Sequence, residues 1–288
     1  MTRHAFPVTI IEWTGKCKGD KPIKAAYIGI DFLFPALPAL AENGCVIMKI
    51  FSCETDNVTE FNTRVCAYAR EHGIPLQLER IRLRDLEELK EQGCELLLCA
   101  GYYYRIPVLE GLRMVNIHPS LLPVGRGAWP MAVTILRGLR ESGVTMHRLV
   151  EQMDAGDILL RRRVEVAPDE NQETLMDKQR ALLPEMVREL CADLEGLWEN
   201  AKPQDETVAE YWPCPAEKDW TITDRTDGDT AERILRAFYG YEVIYETGGE
   251  RWELIRALMK DRAEENARCF PFGGRVICAV KARKLKEQ

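Results

Sequence analysis

The chain reads Asn116-Ile117-His118-Pro119-Ser120-Leu121-Leu122-Pro123 at the end of a predicted strand over residues 114–118. Asn116 and His118 are two residues apart, so on a strand both side chains point to the same side. A strand that ends at Pro119 brings them to the carboxyl edge of a sheet, where open α/β folds bind ligands. An amide donor beside an imidazole can stabilise an oxyanion and move one proton. A hydrogen-bonded histidine at a capped strand end is the alternative interpretation.

Three earlier runs are almost continuously apolar and cover residues 25–30, 45–51 and 94–101. Strands that are apolar on both sides are typical of a sheet that is covered on both faces, as parallel sheets are. Amphipathic helical patterns over residues 61–71 and 83–91 lie between these runs. Strands that alternate with helices imply right-handed crossovers. We therefore predict an α/β fold with a doubly wound, mostly parallel sheet.

The second half of the chain continues the succession of helices and strands, and its composition then changes after about residue 200. A helix over residues 129–136 and two β-rich runs over 144–150 and 158–166 precede a long amphipathic helix over 173–198, in which Pro184 predicts a kink. Beyond the prolines near residues 203 and 213–215, the patterns predict a short helix followed by three strands. The 288 residues correspond to about two domains. The predicted parts are an N-terminal arm over 1–22, a main domain over 23–200, a linker over 201–216 and a small, mostly β domain over 217–288.

The composition of the chain excludes several classes of protein. Apolar residues make up 46% and charged residues 30% of the chain, which excludes a disordered, collagen-like or rod-like protein. No run approaches the roughly 18 apolar residues that cross a bilayer, and the N-terminus lacks a secretion signal, so we expect a cytoplasmic protein with no membrane partner. The net charge of −7 means that a polyanion such as tRNA would need a local basic patch.

Ten cysteines are present, without a Cys-x-x-Cys pair and without a nearby pair of histidines. Several, such as Cys99, lie in apolar runs, where a reduced cysteine behaves as a small core residue. We expect reduced, structural thiols and no metal site.

A third polar residue is Asp154, in the turn Asp154-Ala155-Gly156-Asp157. A carboxylate near His118 would orient the imidazole ring and raise its pKa, which keeps a proton available at neutral pH. By itself this sequence is also a common turn.

Together, these segments resemble the formyltetrahydrofolate-dependent formyltransferase family. The resemblance is carried by the stretch from Asn116 to Pro123 and by three later motifs, Arg126-Gly127-x-x-Pro130, Gly143-Val144-Thr145 and Asp154-x-Gly-Asp157. It is strong over residues 94–166, weaker over 24–93, and returns at Asp219-Trp220 and 234–238. The family includes methionyl-tRNA formyltransferase, glycinamide ribonucleotide formyltransferase and the sugar-amine N-formyltransferases. The resemblance makes residues 23–200 the catalytic domain.

The resemblance also implies roles for particular residues. Asn116 would hold the formyl oxygen as it becomes an oxyanion, and His118 would act as general acid and electrostatic partner. Asp154 would raise the pKa of the histidine and help to take the proton from the attacking amine. The formyl donor would be 10-formyltetrahydrofolate, as co-substrate. Its binding site would include Arg105, Ile106, Pro107, Ser120, Leu121, Leu122, Pro123, Val150, Glu151, Gln152, Met153 and Asp157, although Leu121 and Leu122 could equally be core residues.

Two departures from the family pattern concern the acceptor. The opening strand ends in Gly29-Ile30-Asp31-Phe32 instead of a Gly-Thr-Pro-like turn. After the second strand, where the tRNA enzymes carry a long basic insertion, residues 52–60 contain three acids and no base. Thr55-Asp56-Asn57 and Tyr103-Tyr104-Arg105 are instead similar to the formyltransferase domain of the aminoarabinose lipid-modification pathway.

We therefore expect the acceptor to be the amine of a small metabolite, with an amino sugar as the first candidate. Residues 204–288 contain 14 basic and 17 acidic side chains, whereas a tRNA-binding domain should present a basic stripe. A patch of Lys281, Arg283, Lys284 and Lys286 keeps methionyl-tRNA formyltransferase as the alternative. A formyltetrahydrofolate hydrolase, which is expected to carry an N-terminal regulatory domain, and a non-catalytic folate-binding paralogue are further alternatives. The intact set of Asn116, His118 and Asp154 argues against the non-catalytic paralogue.

Overall fold

A computed structural model describes residues 21–286 of the chain. Apart from its last two residues, the predicted N-terminal arm lies outside the described residues. The helices are α1 (Ala36–Glu42), α2 (Thr63–Glu71), α3 (Leu83–Glu91), α4 (Pro130–Leu136), α5 (Gln172–Ala192), α6 (Leu194–Glu199) and α7 (Gly228–Ala237). The strands are β1 (Lys24–Gly29), β2 (Val46–Phe51), β3 (Leu76–Gln77), β4 (Leu96–Ala100), β5 (Arg113–His118), β6 (Val124–Arg126), β7 (Glu141–Arg148), β8 (Ile158–Glu165), β9 (Glu210–Tyr211), β10 (Thr221–Thr223), β11 (Glu242–Thr247), β12 (Glu250–Lys260), β13 (Arg268–Phe272) and β14 (Arg275–Lys284).

The large sheet has seven strands in the order β3-β2-β1-β4-β5-β7-β8. The five neighbouring strands from β3 to β5 in this order pair in parallel. Helices lie between successive strands along the chain from β1 to β4. This mixed sheet confirms the predicted α/β fold. The long helix that was predicted over residues 173–198 is divided at Asp193 into α5 and α6, and Pro184 lies inside α5.

By their contacts, the residues group into two compact units. Among the described residues, the first holds residues 21–117, His147–Glu151 and Leu183–Ala201, and the second holds the others. The boundaries of the predicted domains remain predictions.

The core of the first unit explains why its strands are so apolar. All five residues of β4 are buried, and Ile28, Phe51 and Leu97 share one cluster with Leu86 from α3. Fully burying such a side chain stabilises the fold by roughly 1.5–3 kcal/mol.

The second unit contains a five-stranded sheet in the order β10-β11-β12-β14-β13. Its helix α7 begins at Asp227, whose carboxylate accepts a hydrogen bond from the Thr230 amide at 2.9 Å and so caps the helix. Pro271 lies in β13, which is an edge strand, where a missing amide donor is tolerated. This sheet confirms the predicted small, mostly β C-terminal part. Between residues 21 and 286, none of the helices is long and apolar enough to cross a bilayer.

The expectation that all cysteines are reduced is wrong for two of them. Cys269 and Cys278 are joined by a disulfide and lie directly opposite each other on β13 and β14. Opposite residues of an antiparallel pair are close enough for such a bond. The turn Gly273-Gly274 lies midway between the two cysteines in sequence, and this symmetric spacing was the signal for the pairing. The seven other described cysteines are not part of this disulfide, and Cys17 lies outside the described residues.

Candidate active site

His118 is the last residue of β5 and is 5% exposed. Its Nε2 lies 2.7 Å from the carbonyl oxygen of Gly125, and its Nδ1 lies 3.5 Å from Oδ1 of Asp154. The Gly125 carbonyl can only accept, so Nε2 carries a proton and donates to it. The Asp154 carboxylate lies at ion-pair distance from Nδ1.

Asp154 lies in a strained turn, with φ of 53°, a backbone conformation that aspartate adopts more readily than most residues. Its Oδ1 faces His118, and its Oδ2 accepts a hydrogen bond from the amide of Gly127 at 2.9 Å. The carboxylate is thus held from two directions. The structure brings together the two residues that the sequence placed at one site.

Asn116 is oriented by a residue that the sequence analysis missed. Its Nδ2 lies 3.1 Å from Nε2 of His147, whose Nδ1 lies 2.8 Å from the Arg148 carbonyl oxygen. The carbonyl can only accept, so Nδ1 carries the proton, Nε2 accepts, and the Asn116 amide donates. β5 and β7 are neighbours in the sheet, so a histidine at the penultimate position of β7 was the signal.

The predicted folate residues of the first unit fall into two groups. Arg105 donates to the carbonyl oxygen of Glu151 at 2.6 Å and to its Oε2 at 2.8 Å, with both side chains exposed. Val150 is also exposed, at 38%, whereas Pro107 is half-buried and Ile106 packs in the core. Arg105, Glu151 and Val150 are therefore the members of this set that a ligand can reach.

In the second unit, two of the predicted folate residues make hydrogen bonds within the fold. The Ser120 hydroxyl donates to the Val124 carbonyl oxygen, and the Leu122 amide donates to the hydroxyl of Thr145. Leu122 is buried and is followed by Pro123 after a cis peptide bond. Of the others, Leu121 and Asp157 are half-buried, and Gln152 and Met153 are exposed. Residues 150–153 thus form a continuous exposed segment in sequence.

Gly143 shows why the Gly-Val-Thr motif needs a glycine. A Cβ at this position would collide with the Leu121 side chain and with the Arg162 carbonyl. The close approach of these segments leaves room only for hydrogen.

The unusual end of the first strand has a structural explanation. Asp31 is 7% exposed and accepts hydrogen bonds from the Thr63 hydroxyl at 3.1 Å, the Arg64 amide at 2.9 Å and the Val65 amide at 3.0 Å. Its carboxylate therefore caps the first turn of α2, where amides lack helical partners and negative charge is favoured.

The acidic loop over residues 54–60 is organised by Asp56. One oxygen of its carboxylate accepts from the amides of Val58, Thr59 and Glu60, and the other accepts from the Thr59 hydroxyl. Partial burial alone would raise the pKa of Asp56, but these hydrogen bonds outweigh it and lower the pKa to about 2. The loop therefore carries negative charge throughout the neutral range.

An aromatic surface lies next to this loop. Tyr103 is 50% and Tyr104 is 42% exposed, and the Arg80 guanidinium lies 5.2 Å from the centre of the Tyr104 ring. Partial burial, followed by the negative charge of Glu60, raises the pKa of Tyr103. Its phenol thus stays neutral. Over residues 21–286 the structure has no group of three or more His, Cys, Asp or Glu side chains that could hold a metal ion.

Comparison with known proteins agrees with this geometry. The profile of the family described as "Formyl transferase" matches residues 59–189. A methionyl-tRNA formyltransferase from Bacillus velezensis is 30% identical over 230 residues, which cover 75% of this chain and 72% of that enzyme. The chain belongs to the formyltransferase family. A methionyl-tRNA formyltransferase from Thermotoga neapolitana is 34% identical over 182 residues, and the match spans 61% of this chain and 58% of that relative. Membership confirms the predicted family and enzyme class.

One solved structure extends the likeness over most of the fold. It is the N-formyltransferase from Helicobacter canadensis in complex with folinic acid and dTDP-3-aminofucose. The TM-score is 0.64 at 17% identity, and the match covers 91% of this chain and 100% of that one. At this identity the likeness concerns the fold alone.

Proposed function

We propose that this formyltransferase moves the formyl group of 10-formyltetrahydrofolate to the amine of a small metabolite, with an amino sugar as the first candidate. The observation that carries the proposal is His118, held at the end of β5 between the Gly125 carbonyl and the Asp154 carboxylate. Asn116 lies two residues earlier on the same strand.

In the proposed reaction, the acceptor nitrogen attacks the formyl carbon and forms the new carbon–nitrogen bond. The bond between that carbon and N10 of the folate then breaks. The acceptor nitrogen loses one proton and N10 gains one, so the transfer is balanced without a further reactant. His118 supplies the proton and positive charge, and Asp154 favours its protonated form and accepts the proton that the amine releases.

The negative charge that develops on the formyl oxygen needs a hydrogen-bond donor. Asn116 supplies it in this proposal, because its amide is already oriented by His147 before substrate arrives. A donor that is fixed in advance needs no reorganisation during the reaction, which is how such groups accelerate acyl transfer.

The exposed segment over residues 150–153, together with Arg105, is proposed to contact the folate. Val150 and Met153 expose apolar side chains, and Arg105 and Glu151 expose charged ones. Small-molecule sites combine apolar surface with a few polar groups in this way. That the Helicobacter canadensis enzyme is in complex with folinic acid supports a folate co-substrate for this chain.

Charge favours a small amine over tRNA. The loop over residues 54–60 is acidic and is ordered by Asp56. Of the four basic residues that could form a patch near the C-terminus, Arg283 pairs with Glu253 and Lys284 pairs with Glu250. Paired cations offer less attraction to phosphate, because binding must first separate them from their carboxylates. The amino-sugar nucleotide in the Helicobacter canadensis complex supports the same class of acceptor.

Methionyl-tRNA is the second candidate acceptor. It is favoured by the relatives from Bacillus velezensis and Thermotoga neapolitana, both of which are methionyl-tRNA formyltransferases.

The deciding experiment incubates the full chain with 10-formyltetrahydrofolate and either methionyl-tRNA or a panel of amino-sugar nucleotides. Formation of tetrahydrofolate and of the formylated acceptor are both measured. We expect saturable transfer to one of the amino sugars. Efficient, saturable formylation of methionyl-tRNA would replace the first candidate with the second, and folate turnover without any acceptor would indicate a hydrolase.

A further inference from the structure

A segment of the second unit pairs with β6 and with the first residue of β8. We call residues 202–212 the strap. Lys202 exchanges two backbone hydrogen bonds with Ile158, at 2.8 and 2.9 Å. At its other end, the strap forms β9, which pairs in parallel with β6. The Trp212 amide donates to the Arg126 carbonyl oxygen at 2.7 Å. One end of the strap is therefore fixed to the segment that follows Asp154, and the other end is fixed to β6.

Gln204 lies in the strap, is 8% exposed and uses its whole amide. Its Nε2 donates to the carbonyl oxygens of Asp154 at 2.7 Å and Gly156 at 2.8 Å. Its Oε1 accepts from Nε and Nη2 of Arg126, at 3.1 and 2.9 Å. A glutamine side chain has two amide protons to donate, and here each of them has an acceptor.

Arg126 is 5% exposed, and its guanidinium is anchored on the strap. Besides Gln204, it donates from Nη1 and Nη2 to the carboxylate of Glu206, at 3.0 and 2.6 Å. A buried guanidinium needs such partners, because an uncompensated charge in the interior is costly. Glu206 supplies the opposite charge, while Nε2 of Gln204 donates to the turn at Asp154.

The two residues next to Arg126 are the hydrogen-bond partners of the catalytic pair. Gly125 accepts from His118 Nε2, and Gly127 donates to Asp154 Oδ2. Gln204 therefore joins the loop that carries these partners, through Arg126, to the turn that carries Asp154. One side-chain amide thus links the loop that holds the partners of His118 and Asp154 to the turn that contains Asp154.

We propose that Gln204 is a positioning residue for the pair of His118 and Asp154, with Arg126 as its anchor. This inference rests on the proposed function of that pair. By holding the carbonyls of Asp154 and Gly156, Gln204 fixes a turn whose φ of 53° is otherwise unfavourable and so directs the carboxylate toward His118. A misplacement of about 1 Å at a reacting group can cost on the order of 10²-fold in rate.

The test uses two substitutions of similar size and one matched control. Gln204→Glu keeps an acceptor for Arg126 but sets a carboxylate oxygen against two carbonyl oxygens. Gln204→Met keeps the length of the side chain and removes all of its hydrogen bonds. The control is Asp205→Asn, next to Gln204, because the hydrogen bonds of Asp205 stay within the strap, on Thr207.

We expect both Gln204 variants to lower kcat by roughly 10²-fold, with KM for 10-formyltetrahydrofolate changed by less than about threefold. Asp205→Asn should keep the wild-type values. A loss confined to kcat distinguishes misplacement of reacting groups from a general loss of structure. An unchanged kcat in both Gln204 variants would overturn the proposal, as would an equal loss in the control. A variant that fails to fold is replaced by Gln204→Asn, whose amide is too short to reach both carbonyls.

A second readout is independent of activity. Proton titration of the His118 ring is followed by NMR in protein labelled with ¹⁵N-histidine. The titration midpoint of His118 should move in both Gln204 variants and stay in place in Asp205→Asn, because only the former release the Asp154 carboxylate. An unmoved midpoint would contradict the proposal even if the wild-type protein transferred no formyl group, so the failure of this inference and of the proposed function are separable.

Discussion

His118 and Asp154 are 36 residues apart in the chain, yet His118 Nδ1 lies 3.5 Å from Asp154 Oδ1. The contact is made where β5 ends and where the turn before β8 begins. Gly125 and Gly127 hold the remaining polar atoms of the pair. In the proposed function, this enclosed histidine holds the proton that the leaving group takes.

The first prediction concerns the two residues on β5. We expect His118→Ala and Asn116→Ala each to lose most turnover, by about 10²–10³-fold, because each removes a group that stabilises the transition state. Folate affinity should change little and is measured by calorimetry on the same samples. The matched control is His72→Ala, whose ring stacks on Tyr68 at 4.0 Å between centroids. Near-normal turnover in either β5 variant would show that its assigned role is wrong.

The second prediction distinguishes two roles of Asp154, that of a negative charge beside His118 and that of a structural residue in the turn. Asp154→Asn keeps the size of the side chain and an oxygen that can accept from the Gly127 amide, but it removes the negative charge beside His118. The protonated ring is then less favoured, so the rate should begin to fall at a lower pH than in the wild type. The full pH–rate profile of kcat tests this, with melting temperature as the control for folding. A profile that keeps both its shape and its height would leave Asp154 as a turn residue.

Several elements could be predicted from the sequence because their patterns are local. The charged repeat with inward Leu86 and Leu89 predicted α3 with its bounds, and the apolar run around Leu97 predicted β4. The position of His118 at the carboxyl edge of the sheet was predicted from the general rule that ligands bind there. Its pairing with Asp154 was implied by the family resemblance.

Other features depend on contacts that no periodicity records. His147 and the proposed positioning residue Gln204 were missed because they reach the site only through hydrogen bonds to segments distant in the sequence. The short strands β6 and β9 have only three and two residues, with Gly125 in one of them, so no alternating pattern could form. α1 was missed because Pro35 and Pro38 lie at its start, and proline in a sequence usually indicates a break in a helix. Proline is nevertheless tolerated in the first turn.

The third prediction concerns acid and the loop over residues 54–60. The pKa of Asp56 is about 2 in the folded protein, below its usual value near 3.9. A lowered pKa means that the carboxylate stabilises the loop fully above about pH 4 and that this contribution is lost as the pH falls toward 2. We expect amide exchange at Val58, Thr59 and Glu60 to accelerate in that interval, relative to amides in β4. In Asp56→Asn these amides should exchange faster already at neutral pH. Equal protection in the variant and the wild type would contradict the capping role.

The last prediction concerns the acceptor. If tRNA were bound through several phosphates, its affinity would fall steeply with salt, with a slope approaching one logarithmic unit per neutralised phosphate. This chain presents an acidic loop around Asp56, and Arg283 and Lys284 near its C-terminus are paired with glutamates. A small amino sugar carries few charges, so its KM should depend only weakly on salt.

Titrations at increasing salt therefore distinguish the two acceptors. We expect weak, non-saturating association with tRNA at about 0.15 M salt, and saturable transfer to a small amine whose KM is nearly constant over the same range. Glu253→Gln provides an internal check, because releasing Arg283 from its carboxylate should raise tRNA affinity if that surface meets phosphate at all. Strong, saturable tRNA binding by the wild-type protein, with a salt slope of several units, would overturn the choice of a small amine and leave the family assignment intact.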